Sequence, residues 1–168
     1  VELNFSELWA RTLAAASYLR IKQRAVHWSG KEPPLLSPLQ RASNRSHVIG
    51  VMVEEGLELA VAELAIAVAG CAIAPLSASD PPSRLASILE DISCSTVIVD
   101  SQRDPAAVMR LCQASRMRKD GMKDLLVLEA SELLDADDAN MVSDEEADPE
   151  SLSHVFFTSG STGQPKGC

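Results

Sequence analysis

Short apolar runs with no polar alternation recur along this chain, and the stretches between them carry apolar residues at helical spacing. The runs are 48–53, 72–76, 96–99, 125–128 and 154–158, as in His47-Val48-Ile49-Gly50-Val51-Met52-Val53 and Thr96-Val97-Ile98-Val99. A strand apolar on both faces must be covered on both faces, so these runs belong in the interior of a sheet. The intervening segments read as amphipathic helices. Asn4 and Glu7 form a capping box before Phe5, Leu8, Trp9, Leu13 and Ala16, which predicts a helix to about Ile21. Leu57, Val61, Leu64, Ala65 and Val68 make a second apolar stripe, with Gly70 placed to cap it. Asp80-Pro81 starts a third helix with core face Leu85, Ile88, Leu89 and Ile92. Asp104-Pro105 starts a fourth, with Val108, Leu111, Cys112 and Ser115 inward. Strand and helix in strict alternation predict an α/β fold: a mainly parallel, doubly wound sheet with helices on both faces. Ligands of such sheets sit at the carboxyl ends of the strands.

Charge narrows the partners. The formal net charge is −9, and eight of the 24 acids lie between Asp135 and Glu150 with no base among them. The remaining 16 acids face 15 bases, so the rest of the chain is close to neutral. The 135–150 run reads as a solvated acidic loop rather than a metal or partner site. No basic stripe is present, which argues against nucleic acid as a partner. Residues 27–46, with Gly30, Pro33, Pro34 and Pro38, read as a further loop.

Cys71, Cys94, Cys112 and Cys168 are dispersed, with no paired spacing and no histidine cluster. They fit unpaired thiols in a reducing, cytoplasmic compartment and argue against a zinc site and against a disulfide framework. His27, His47 and His154 read as a loop residue, a strand-edge residue and a residue at the start of the last strand, without a catalytic pairing. The longest apolar run, Leu64 to Leu76, is too short for a bilayer span and contains Gly70 and Pro75. The chain begins at Val1 with no secretory leader, and a start without Met implies that upstream sequence is absent.

The chemistry is concentrated in Phe156-Phe157-Thr158-Ser159-Gly160-Ser161-Thr162-Gly163-Gln164-Pro165-Lys166-Gly167-Cys168. A buried strand runs into glycines and hydroxyls, with one lysine at the far end. Free backbone N–H groups, small hydroxyl donors and a mobile cation are what a polyphosphate requires. The stretch is not a Walker-type P-loop, because Pro165 and Gly167 stand where glycine and a hydroxyl residue would be needed. A Gly/Ser/Thr linker would not follow His154-Val155-Phe156-Phe157.

The motif Thr158-Ser159-Gly160-Ser161-Thr162-Gly163-Gln164-Pro165-Lys166-Gly167 resembles the phosphate-binding signature of the adenylate-forming superfamily, which includes acyl-CoA synthetases, luciferases and the amino-acid adenylation domains of peptide synthetases. Phe5-Ser6-Glu7-Leu8, with the helix ending in Leu19-Arg20, looks like the family's opening motif. Ala69-Gly70-Cys71-Ala72-Ile73-Ala74-Pro75-Leu76, then Asp80-Pro81-Pro82-Ser83-Arg84-Leu85, is similar to its second motif. Ile73 there replaces the usual tyrosine, and Ser77-Ala78 stands where Asp-Pro is commoner. The tight spacing and the arginine-leucine lean towards amino-acid adenylation.

The resemblance implies a partial AMP-binding (adenylation) domain over 1–168, truncated at both ends, with fragment activity doubtful in isolation. It implies ATP-dependent activation of a small carboxylic acid, followed by transfer to a thiol, either CoA or a carrier-protein phosphopantetheine. Thr158, Ser159, Ser161 and Thr162 are then the hydroxyl donors, Gly160 and Gly163 the backbone donors, and Lys166 the charge partner of the β- and γ-phosphates. The catalytic groups and the ligands of Mg²⁺ lie outside the chain. Two alternatives remain open: a nucleotide kinase or other P-loop hydrolase, and a non-catalytic truncated or regulatory product of an adenylating gene.

Overall fold

The computed structural model describes residues 3–25, 47–100, 105–119, 125–136, 151–159 and 165–167. The expected loop at 27–46 and most of the acidic run, 137–150, lie outside the described residues. The elements in chain order are α1 (Phe5–Ala25), β1 (Val48–Met52), α2 (Leu57–Val68), β2 (Ala72–Pro75), α3 (Pro82–Asp91), β3 (Thr96–Val99), α4 (Pro105–Met117), β4 (Leu126–Glu129), α5 (Ala130–Leu134), β5 (Phe157–Ser159) and β6 (Pro165–Gly167).

Strands β1 to β4 form one sheet in the order β2-β1-β3-β4, and every pairing in it is parallel. The chain leaves β1 to one side for β2 and returns to the other for β3, which makes β1/β3 the switch point of the sheet. Alternate residues divide the core. Val48, Met52, Ala72, Ala74, Val97 and Val99 pack against Leu85, Ile88, Leu89 and Ile92 of α3 and Leu111 and Ala114 of α4. Ile49, Val51, Ile73, Ile98 and Leu128 pack against α1, α2 and α5 on the other side. The sheet is therefore covered on both faces, as its apolar strands require. Each large aliphatic side chain so buried contributes roughly 1.5–3 kcal/mol.

Local chemistry explains the helix ends. The amide of Asn4 donates to Glu7 Oε2 at 2.9 Å and the amide of Glu7 donates to Asn4 Oδ1 at 3.0 Å, closing the expected capping box. Helix α2 ends in a Schellman turn: Gly70 has φ 75°, its amide donates to Ala67 O, and the amide of Cys71 donates to Ile66 O. The Arg20 guanidinium donates to Val68 O, tying α1 to the carboxyl end of α2. A second capping box, between Glu129 and Glu132, starts α5 directly from β4.

Several expectations about faces and ends need correction. On α1 the buried residues are Thr12, Ala14, Ala15, Ala16, Ser17 and Leu19, whereas Phe5 is 81% and Trp9 45% exposed. The alanines let α1 approach α2 closely, and that contact rotates the aromatic pair outward. On α2 the inward face is Val61, Ala62, Ala65 and Ile66, leaving Leu64 exposed. Cys112 is exposed, and Ala107, Leu111, Ala114 and Ser115 are the buried residues of α4. Helix α3 begins one residue later than Asp80-Pro81 implies: Pro81 is the N-cap and Asp80 makes no cap bond, pairing instead with Arg84 at 3.2 Å. Helix α1 runs on to Ala25, and α5 was not anticipated.

Candidate functional site

The terminal apolar run is not one straight strand. Its first half joins the sheet beside β2: the amide of Ile73 donates to Ser153 O at 2.9 Å and the amide of Val155 donates to Ile73 O at 2.8 Å, around a parallel Ile73–His154 bridge. Its second half, β5, pairs antiparallel with β6, in the register Phe157–Gly167, Thr158–Lys166 and Ser159–Pro165. The expected parallel strand over 154–158 is thus split between two sheets.

Side chains alternate along this segment. Val155 is buried among the residues of the α3/α4 face, and Leu152 and Phe157 pack partly against the same cluster. His154 and Phe156 point the other way, exposed, with rings stacked at 5.7 Å and 2° between planes. Ser153 Oγ and His154 Nδ1 lie 2.8 Å apart. Thr158, next on the outward side, is exposed. Two inward anchors and the backbone bonds to Ile73 therefore fix the approach to the hairpin, while α3 lies against β6.

Of the residues assigned to phosphate binding, Thr158 and Ser159 are on β5 and Lys166 is on β6. Gly160, Ser161, Thr162 and Gly163 lie outside the described residues. Sequence reasoning put Lys166 at the distant end of an open loop. The register instead returns it to a backbone position directly opposite Thr158. Pro165 was the available signal, since proline is tolerated only on an edge strand. The role of Ile73 left no trace in sequence, because it acts through its backbone.

Other reactive groups of the described residues stand apart from the hairpin. Burial pushes the Cys71 and Cys94 thiols up from their usual range, so neither is a thiolate at neutral pH. Cys94 donates to Thr96 O at 3.1 Å. His47 and His154 are exposed, while His27 lies outside the described residues. No group of three or more His, Cys, Asp or Glu side chains gathers among the described residues, and no described helix is long and apolar enough to cross a membrane.

The AMP-binding enzyme family matches residues 39–168. The nonribosomal peptide synthetase agiA of Aspergillus flavus is 33% identical over 172 residues, covering 98% of this chain and 2% of that protein. Among solved structures, McyG A-PCP complexed with phenylalanyl-adenylate superposes with a TM-score of 0.68 at 17% identity, covering 99% of this chain and 27% of that one. The Mycobacterium tuberculosis fatty acyl CoA synthetase gives 0.68 at 16% identity, covering 99% and 28%. At these identities the two structures establish the fold, an α/β parallel sheet flanked by helices. The chain spans only a small part of each relative's length. On the family match and the relative in agreement with it, the chain belongs to the AMP-binding enzyme family of the adenylate-forming superfamily.

Proposed function

We propose that residues 1–168 are part of the adenylation domain of an enzyme that activates a carboxylic acid with ATP, and that they supply its phosphate-binding hairpin. The family match over residues 39–168 carries this reading, and the register that sets Thr158 opposite Lys166 in a hydroxyl- and glycine-rich motif agrees with it. The chemistry of the set fits a triphosphate. Thr158, Ser159, Ser161 and Thr162 offer hydroxyl donors, Gly160 and Gly163 offer backbone amides, and Lys166 offers a cation.

The reaction is attack of a substrate carboxylate on the α-phosphate, with pyrophosphate leaving and a thiol taking the acyl group afterwards. ATP supplies the phosphoryl electrophile and leaving group; the hairpin's part is electrostatic. Charge grows on phosphoryl oxygens, and donors already fixed in place stabilise it without reorganising. Lys166 neutralises the β- and γ-phosphates, and the hydroxyls and amides hold them in line. Mg²⁺, the adenine and the ribose are assigned to residues outside this chain, as are the groups that select the acid. The peptide synthetase relative favours an amino acid as substrate and a carrier-protein phosphopantetheine as thiol acceptor. Nothing favours the kinase or the non-catalytic reading.

Product analysis tests the reaction class. With the full-length protein and radiolabelled ATP, adenylation yields AMP and pyrophosphate, whereas a kinase yields ADP. Pyrophosphate exchange across a panel of amino and fatty acids then identifies the acid. Exclusive ADP formation would overturn the proposal.

A further inference from the structure

The parallel bridge between Ile73 and His154 fixes what lies beside the hairpin. The two segments run in the same direction at this bridge, and the amide of Val155 carries the pairing one residue further. The Ser77–Asp80 turn begins four residues after Ile73, and Thr158 lies four residues after His154. Helix α3 starts directly after that turn and lies against β6. Helix α3 therefore backs β6, and the turn that precedes it shares a buried cluster with Phe157 of β5.

This turn is unusually well tied for an exposed segment. The Ser77 and Ser79 hydroxyls are 2.7 Å apart, the amide of Asp80 donates to Ser77 O at 3.1 Å, and Asp80 accepts from Arg84 Nε at 3.2 Å. The remaining tie comes from another element: the guanidinium of Arg110, on α4, donates to the carbonyl of Ala78. Ala78 and Phe157 pack against the same buried cluster, which links the turn to β5.

We infer that Arg110, by holding the Ala78 carbonyl, is a positioning residue that sets the Ser77–Asp80 turn as the backstop of the β5–β6 hairpin and so tunes nucleotide affinity. The inference rests on the phosphate-binding role proposed above. The bond to Ala78 lies at the carboxyl ends of the strands, where small displacements of a group that positions a substrate are costly in rate.

A matched control exists on the opposite face. Arg11 on α1 donates to Leu134 O at 2.8 Å, the same type of bond far from the hairpin. In the full-length protein, Arg110→Gln is expected to raise KM for MgATP in pyrophosphate exchange about threefold to tenfold, with KM for the carboxylic acid unchanged. Arg110→Lys, which keeps a cationic donor, is expected to recover part of the loss. Arg11→Gln, which removes an exposed bond of the same type, is expected to leave KM for MgATP alone. Should Arg110→Gln prove poorly folded, Arg84→Gln loosens the same turn from its other side and is expected to act in the same direction. A wild-type KM in both turn variants, or an equal rise in Arg11→Gln, would overturn the inference. Unchanged exchange in Lys166→Ala would instead remove the phosphate-binding reading itself, and this inference with it.

Discussion

Every residue of β1 and β3 is buried, while β5 leaves Thr158 exposed and is held to the rest of the molecule by Val155, Phe157 and a few backbone bonds. The central strands satisfy their backbone in the sheet and spend their side chains on two apolar layers. In the hairpin β5 pairs with β6 in a sheet of two strands, and Thr158 is exposed. Buried apolar area supplies stability; polar residues on exposed segments supply binding. If this division holds, substitutions in the sheet layers should change unfolding and spare nucleotide kinetics, and substitutions in the hairpin should do the reverse.

The largest effect is expected from the α3/α4 layer. Leu89 and Leu111 are fully buried against the β1–β3 strands. Leu89→Ala should destabilise by about 2–5 kcal/mol, because the layer cannot collapse around a lost isobutyl group. Denaturant unfolding measures it. A large rise in KM for ATP at temperatures where the variant is folded would break the comparison. On the other side, Lys166→Ala and Thr162→Val each remove a donor to the polyphosphate. Such charge-assisted bonds are worth roughly 1.5–3 kcal/mol, so exchange should fall about tenfold to a hundredfold with the unfolding midpoint unmoved.

Gly50 sharpens the boundary. A Cβ there would come within 2.7 Å of Leu76 Cδ1 and 2.9 Å of Val97 Cγ2. The leucine methyl can swing, but Val97 is β-branched and stiff. Gly50→Ala is expected to cost about 1–3 kcal/mol by overpacking, read in thermal unfolding. Leu76 leads directly into the Ser77–Asp80 turn, so this variant also reports how far a core shift reaches towards the hairpin. A stability loss without a change in KM for ATP would confine the shift to the sheet.

The same contrast explains what the residues disclosed. The sheet was legible because burial acts on side-chain type: Thr96-Val97-Ile98-Val99 has no other place to go, and Leu85, Ile88, Leu89 and Ile92 are all buried as their spacing required. Helix faces were less legible where small residues compete. Ala14, Ala15 and Ala16 win the core from Phe5 and Trp9 because close helix approach outweighs ring area, and hydropathy alone does not register that. At the site, the donor types were readable from the motif, but the pairing of Thr158 with Lys166 depends on backbone register. Ile73 and Arg110 act on or through carbonyls and amides, which no residue code advertises.

The smallest expected effect compares two helix ends built alike. Helix α3 closes with the same Schellman pattern as α2: the amide of Ser93 donates to Glu90 O at 3.1 Å and that of Cys94 donates to Leu89 O at 2.9 Å. The left-handed residue is Gly70 at φ 75° in α2 but Ser93 at φ 49° in α3. A residue with a Cβ is strained there, by about 1–2 kcal/mol when the conformation is enforced, while glycine gives part of that back through its freer unfolded state. Ser93→Gly is therefore expected to stabilise by about 0.5–1 kcal/mol. Gly70→Ser should cost a comparable amount, and since nothing lies within 4 Å of a Cβ built at Gly70, that cost would be backbone strain rather than a clash. Buried Arg118 also donates to the Leu89 and Cys94 carbonyls, so the α3 end has a side-chain support that the residue at 93 does not alter. Differential scanning calorimetry of the two single variants and the double swap decides it. Opposite signs that cancel in the double variant are expected; destabilisation by Ser93→Gly would mean that the serine side chain holds this turn in a way its backbone geometry does not reveal.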